Sequence, residues 1–141
     1  MEYDYAELVI TVDDIISFNI TSREIIFADV IFEKLTTLID ECIYNQVTLY
    51  YGDMLLFESI PVTTRYSSTS RVDLVLIFNE ARILPEFSFI LADGYPENLK
   101  EYWYREVCHN AQKEREENAA KRKTQWDTFI TYLTDSGKII D

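Results

Sequence analysis

Residues 46–60 read QVTLYYGDMLLFESI: two runs rich in aromatic and aliphatic residues, Gln46 to Tyr51 and Met54 to Ile60, joined by Gly52-Asp53. A glycine-led pair supplies the positive φ of a two-residue turn, so the stretch predicts a β-hairpin. A hairpin has a face to bury, and the chain on either side must cover it. More sheet is expected from Tyr5–Val12 and Ile15–Ile20, read as a second hairpin about Asp13-Asp14, and from the apolar runs Val72–Phe78 and Ile83–Ala92. Pro85 cannot donate to a ladder and puts the start of the last run at an edge or a bulge, and Pro61 is expected to end the first hairpin. The polar stretch 62–71, VTTRYSSTSR, reads as a loop or an irregular edge strand.

Helical periodicity flanks these strands. Thr21-Ser22-Arg23-Glu24 has capping-box form before an apolar run, predicting a helix over about 22–44. Its apolar stripe is Ala28, Ile31, Leu35, Leu38, Ile39 and Cys42, while the β-branched Ile25 and Ile26 leave strand as an alternative for the first turn. Asp93-Gly94-Tyr95-Pro96 reads as a turn whose proline opens a second helix, followed by Glu97. That helix stops at Ser136-Gly137 and is apolar at both ends: Leu99, Tyr102, Trp103 and Val107, then Trp126, Phe129, Ile130 and Leu133. The charged span of about 109–125 between them is expected to be exposed or protruding; continuity is the preferred reading, two helices the alternative. The expected fold is a single α+β domain over 1–141. Its mostly antiparallel sheet of about five to six strands is packed by a central helix (about 22–44) and a long C-terminal helix (about 96–135).

Composition bounds the class. A chain of 141 residues that is 48% hydrophobic, with ten Tyr and eight Phe, buries one core and lacks the aromatic-poor signature of disorder. It has no apolar run of about 18 residues, and the opening MEYDYAELV carries acids where a signal peptide carries bases, so a soluble, cytoplasmic protein is expected. Cys42 and Cys108 are 66 positions apart with no C-x-x-C spacing, which fits reduced, buried thiols.

The net charge of −12 is unevenly distributed. Residues 1–60 hold twelve acids against two bases (Arg23, Lys34), 61–94 four against three, and 95–141 nine against eight. Concentrated negative charge repels nucleic acid and anionic membrane and steers basic partners. No direct nucleic-acid or membrane contact is therefore expected.

Motifs for chemistry are sparse. His109 follows Cys108, but adjacent helical side chains diverge by about 100°, so the two do not form a catalytic pair. Gly52, Gly94 and Gly137 are isolated and build no phosphate loop. Asp13-Asp14 and Asp40-Glu41 suit a hard cation in type but lack an EF-hand framework, and paired-carboxylate hydrolysis is the enzymatic alternative. The reading is non-enzymatic, with no cofactor and no metal.

Partner-binding candidates are Asp13, Asp14, Asp29, Glu33, Asp40 and Glu41, with Arg65 and Tyr66 as interface-type anchors in the hydroxyl-rich loop that ends at Arg71. On the first helix Asp29, Glu33, Thr36, Thr37, Asp40 and Tyr44 form a polar stripe. Its carboxylates step by about 6 Å and then about 10 Å, a spacing broadly like that of phosphates along a nucleic-acid strand. The basic triplet Lys121-Arg122-Lys123 lies close to Glu114, Glu116 and Glu117, which are expected to neutralise it. The stripe Trp126, Phe129, Ile130 and Leu133 either docks on the sheet or mediates a homodimer.

Small size, acidity, the missing catalytic set and the Ile, Tyr and Asn content are similar in general character to phage anti-defence proteins, anti-CRISPR and anti-restriction proteins included. The resemblance is one of composition and implies an inhibitor with a basic protein partner, a nuclease or Cas effector complex whose nucleic-acid channel it blocks. The alternatives are a toxin-neutralising immunity protein or antitoxin, and a structural subunit of a viral or other assembly.

Overall fold

In a computed structural model the described residues are 5–41, 44–64, 70–79, 88–97 and 105–141. The strands are β1 (Tyr5–Thr11), β2 (Ile15–Asn19), β3 (Glu24–Phe27), β4 (Tyr44–Tyr51), β5 (Met54–Thr64), β6 (Val75–Asn79), β7 (Ser88–Ala92) and β8 (Ile139–Ile140). The helices are α1 (Asp29–Glu41), α2 (Arg105–Lys121) and α3 (Lys123–Asp135), and a 3-10 turn over Val12–Asp14 links β1 to β2. The class is α+β. Where five to six strands are expected, the described residues hold eight, in the order β1-β4-β5-β6-β7-β3-β2-β8. The sheet is mixed: β1–β4, β5–β6 and β2–β8 are parallel, the other neighbours antiparallel.

Chain connectivity forces this sheet to curl. β1 and β2 stand six places apart, about 29 Å in a flat sheet at the usual strand spacing. Yet Thr11 and Ile15, the facing ends of β1 and β2, are separated by four Cα steps, a reach of at most about 14 Å. The sheet therefore wraps until its first strand comes near its seventh. Bulges in β5 assist: Leu49 pairs with Phe57 and Val47 with Ile60, so β5 carries an extra residue there, and Ser59 has φ 55°. The buried Thr48 hydroxyl accepts the Ser59 N–H and donates to the Glu7 carboxylate, tying the bulge to β1.

The inner face of the curl is the core. Phe18, Phe89, Phe129, Leu35 and Leu133 are fully buried there. α1 seats Leu35 and Ile31 in it, with Phe32 against the rings of Phe78 and Phe89. α3 seats Phe129 and Leu133, and Trp126 and Phe129 both meet Phe18 and Phe57. Val75 and Ile77 alternate with Leu76 and Phe78 along β6 and, with Ala92, form a second, smaller cluster.

Several sequence expectations are corrected. The 46–60 hairpin forms, with Tyr51 facing Met54 and Gly52 at φ 56°, but Pro61 does not end it: β5 runs on to Thr64, pairing with β4 through Pro61 and with β6 from Val62. β1 and β2 are not a hairpin; each pairs elsewhere. Residues 21–24 are a turn into β3, not a helix start. The Asn19 carboxamide oxygen accepts the N–H groups of Thr21 and Ser22, Arg23 takes φ 68°, and Ile25 and Ile26 enter the sheet. Local side-chain bonding competes with helix nucleation, and β-branching decides it for strand. Tyr44 consequently belongs to β4 and not to the helical stripe.

Tyr95 bridges to Arg71, and Pro96 and Glu97 lie in a bend, so no helix opens at Pro96. The long C-terminal helix is two helices meeting at Arg122, whose N–H and carbonyl still bond to Asn118 and Trp126 across the junction. Its end falls where expected. Gly137 N–H bonds to the Thr134 carbonyl and Lys138 N–H to the Leu133 carbonyl, which turns the chain into β8. The Pro85 strand start, Cys42, and Leu99, Tyr102 and Trp103 lie outside the described residues. Cys108 is half-buried and His109 exposed on α2. No described helix is long and apolar enough to cross a membrane.

Candidate functional site

The acids fall into two groups, distinguished by whether a cation meets them. In the first, Asp93 after β7 accepts hydrogen bonds from Arg23 at 2.8 Å and from Arg122 at 2.6 Å, and Arg122 also holds Asp73. Arg23 donates from Nε to the Leu91 carbonyl and stacks 4.3 Å from the Trp126 ring, so the network is fastened to β7 and to the core face of α3. Beside it Arg115, only 6% exposed, donates to the carbonyls of Arg71, Pro96 and Glu97. Burial pushes both the Arg115 and Arg71 guanidinium groups below the usual arginine range, with Asp93 and Glu97 opposing the shift at Arg115. Gly94 permits this approach, since a Cβ there would lie 2.1 Å from Arg115 Nε and 2.6 Å from the Arg71 carbonyl oxygen.

Two residues of the basic triplet find their acids elsewhere than expected. Arg122 goes to Asp73 and Asp93, and Lys123 to Asp127 at 2.6 Å, in place of the three glutamates of α2. The charged span about 109–125 is exposed along most of its length. Ala111 and Arg115 are buried, and Asn118 donates to the Val72 carbonyl, so one stripe is tied down.

The second group surrounds the 3-10 turn and α1. Ala28 N–H donates to the Asp14 carbonyl at 2.9 Å, which sets Asp13 and Asp14 beside the start of α1 at Asp29. Glu33 follows one turn later, about 6 Å along the axis. Asp13, Asp29 and Glu33 are exposed, and among the described residues none of them forms an ion pair. Glu7 on β1 lines the same cleft as Glu33. Cations are few: Lys34 beside Glu33, and Lys138, whose Nζ donates to the Val12 carbonyl at 3.2 Å. Some of these carboxylates have local duties. Asp14 accepts the Thr11 N–H at 2.9 Å, Asp13 accepts the Tyr132 hydroxyl at 2.6 Å, and Asp29 sits where the helix dipole favours an anion. The bond to Asp13 raises the Tyr132 phenol above its ordinary value.

Of the sequence candidates, Asp13 and Asp14 are placed, through the Ala28 to Asp14 backbone bond, beside the start of the helix that carries Asp29 and Glu33. Asp40 and Glu41 lie on the last turn of α1, but their side chains are outside the described residues, as are Arg65 and Tyr66 entirely. Thr36 and Thr37 turn their hydroxyls back onto helix carbonyls, Thr36 onto those of Phe32 and Glu33 and Thr37 onto that of Glu33. Sequence reasoning missed Glu7, whose signal is a lone acid at an outward position of an alternating strand. Asp13 and Asp14 do not converge on one point: one carboxylate faces α3, the other caps its own turn. The C-terminal stripe docks on the sheet, with Phe129 and Leu133 fully buried. In comparisons with known proteins no family model, no curated protein and no solved structure matches the chain.

Proposed function

We propose that this chain is a non-enzymatic binding protein that presents the acidic surface of the 3-10 turn and α1 to a basic, nucleic-acid-binding protein and blocks it. The observation that carries the reading is the placing of the turn with Asp13 and Asp14 beside the start of the helix with Asp29 and Glu33, none of the four meeting a cation among the described residues. Carboxylates whose charge no internal cation neutralises, even where a neutral donor bonds them as at Asp13 and Asp14, keep their field for an outside partner, and such a field accelerates encounter with a cationic groove. A nuclease or Cas effector channel, lined by lysine and arginine to hold phosphates, is the matching class of target, in keeping with an anti-defence role.

The test is co-purification from host extract with mass spectrometry of bound proteins, using the wild type beside Asp29→Lys, Glu33→Lys, Asp40→Lys. The triple variant should lose the basic partner while keeping its far-UV spectrum. A partner retained equally by both proteins would move the binding surface elsewhere.

A further inference from the structure

Between β1 and α1 lies a shallow cleft of about 400 Å³, its floor made by Leu8, Val30 and Leu38 and its rim by Glu7, Glu33 and Lys34. Val30 is 62% exposed. β1 ends the strand order and, among the described residues, pairs with β4 alone, so its other edge presents alternate N–H and C=O groups. An open edge, an apolar floor and an acidic rim are three features of one bound object. Resting on the acidic-surface reading, we infer that the cleft receives an extended basic segment of the partner protein, which adds as a strand to β1. Side chains of a strand alternate between faces. Aliphatic residues on the Leu8 face of the segment then settle on Leu8, Val30 and Leu38, a lysine or arginine flanking them on that face reaches Glu33 on α1, and those of the opposite face reach Glu7. Phosphate-bearing polymers and anionic lipid are repelled by the same rim, and a second copy of this chain brings a net charge of −12.

The probe is an alternating lysine–valine hexapeptide titrated into the full chain at low salt and followed by amide NMR. Resonances of β1 and α1 should shift, and β1 amides should exchange more slowly. Val30→Ser should weaken binding about fivefold with the salt dependence kept, because only apolar contact is lost. Glu33→Lys should weaken it about tenfold and flatten the salt dependence. Both positions are exposed, so the fold tolerates either change. If Glu33→Lys weakens binding while Val30→Ser and the β1 amides show nothing, the strand-addition inference is wrong and the acidic-surface reading stands. If neither substitution matters, or the peptide does not bind, both are wrong. Sedimentation showing that the chain pairs with itself through β1 would overturn the inference in favour of a second copy.

Discussion

Asp93 and Glu33 are both partly or wholly exposed acids, yet they stand in opposite electrostatic settings. Asp93 is shared by two arginines that reach it from segments 70 and 29 positions away, one of them stacked on Trp126. Glu33 has no such partner among the described residues, nor has Asp29 one turn before it. The chain's acids therefore stand in two settings. Where strands and helices from distant parts of the sequence meet, charge is matched and holds the junction. Around the 3-10 turn and α1 it is left unmatched, where an internal ion pair of this exposure would add little to stability in any case.

Substitutions in the two settings should differ in their effect on stability. Arg115→Met takes the guanidinium donor from the carbonyls of Arg71, Pro96 and Glu97, of which that of Arg71 keeps the Tyr95 N–H, and should cost about 3 kcal/mol in chemical denaturation; a cost near zero would mean that the junction does not depend on its guanidinium. Arg122→Met releases Asp73 and leaves Asp93 to Arg23 alone at a partly exposed site, and should cost about 1 kcal/mol, shrinking in high salt. Asp29→Asn with Glu33→Gln should leave stability within about 0.5 kcal/mol of wild type. A clear loss there would mean that these acids also serve the fold. Tyr132→Phe gives the smallest effect, visible in the pH profile. The phenol is raised in the folded state, so its contribution is present below about pH 10 and fades as pH climbs through the higher folded value. The variant should lack that alkaline component of the unfolding profile.

Much of the fold was legible because its signals are local. The Gly52-Asp53 hairpin and the α3 terminus at Ser136-Gly137 follow from turn chemistry within a few residues. The α1 stripe follows from periodicity, and Leu35 is fully buried as its phase requires. Misreadings arose where two local grammars overlap or where partners are distant. Residues 21–24 satisfy both a capping box and an Asn-led turn, and the sheet's need for Ile25 and Ile26 chose the turn. The parallel pairing of β1 with β4, and the placing of β8 beside β2, join segments separated by a helix or by most of the chain, and no spacing rule encodes them. For the site, the acidic bias of the first 60 residues was visible. That a single Ala28 to Asp14 hydrogen bond would bring the 3-10 turn to the start of α1 was not, since it depends on the curl. Glu58 and Asp53 sit in the same acidic segment but on the β4–β5 hairpin, so segment composition alone does not define the surface.

The most direct test reads the electrostatic potential amide by amide, from NMR relaxation enhancements by paired cationic and anionic nitroxide cosolutes. Strong enrichment of the cationic probe is expected over residues 13–14 and 29–37, with a near-balanced response around Asp73 and Asp93. Equal responses at the two places, or a stronger one at the Asp93 network, would contradict the acidic-surface reading.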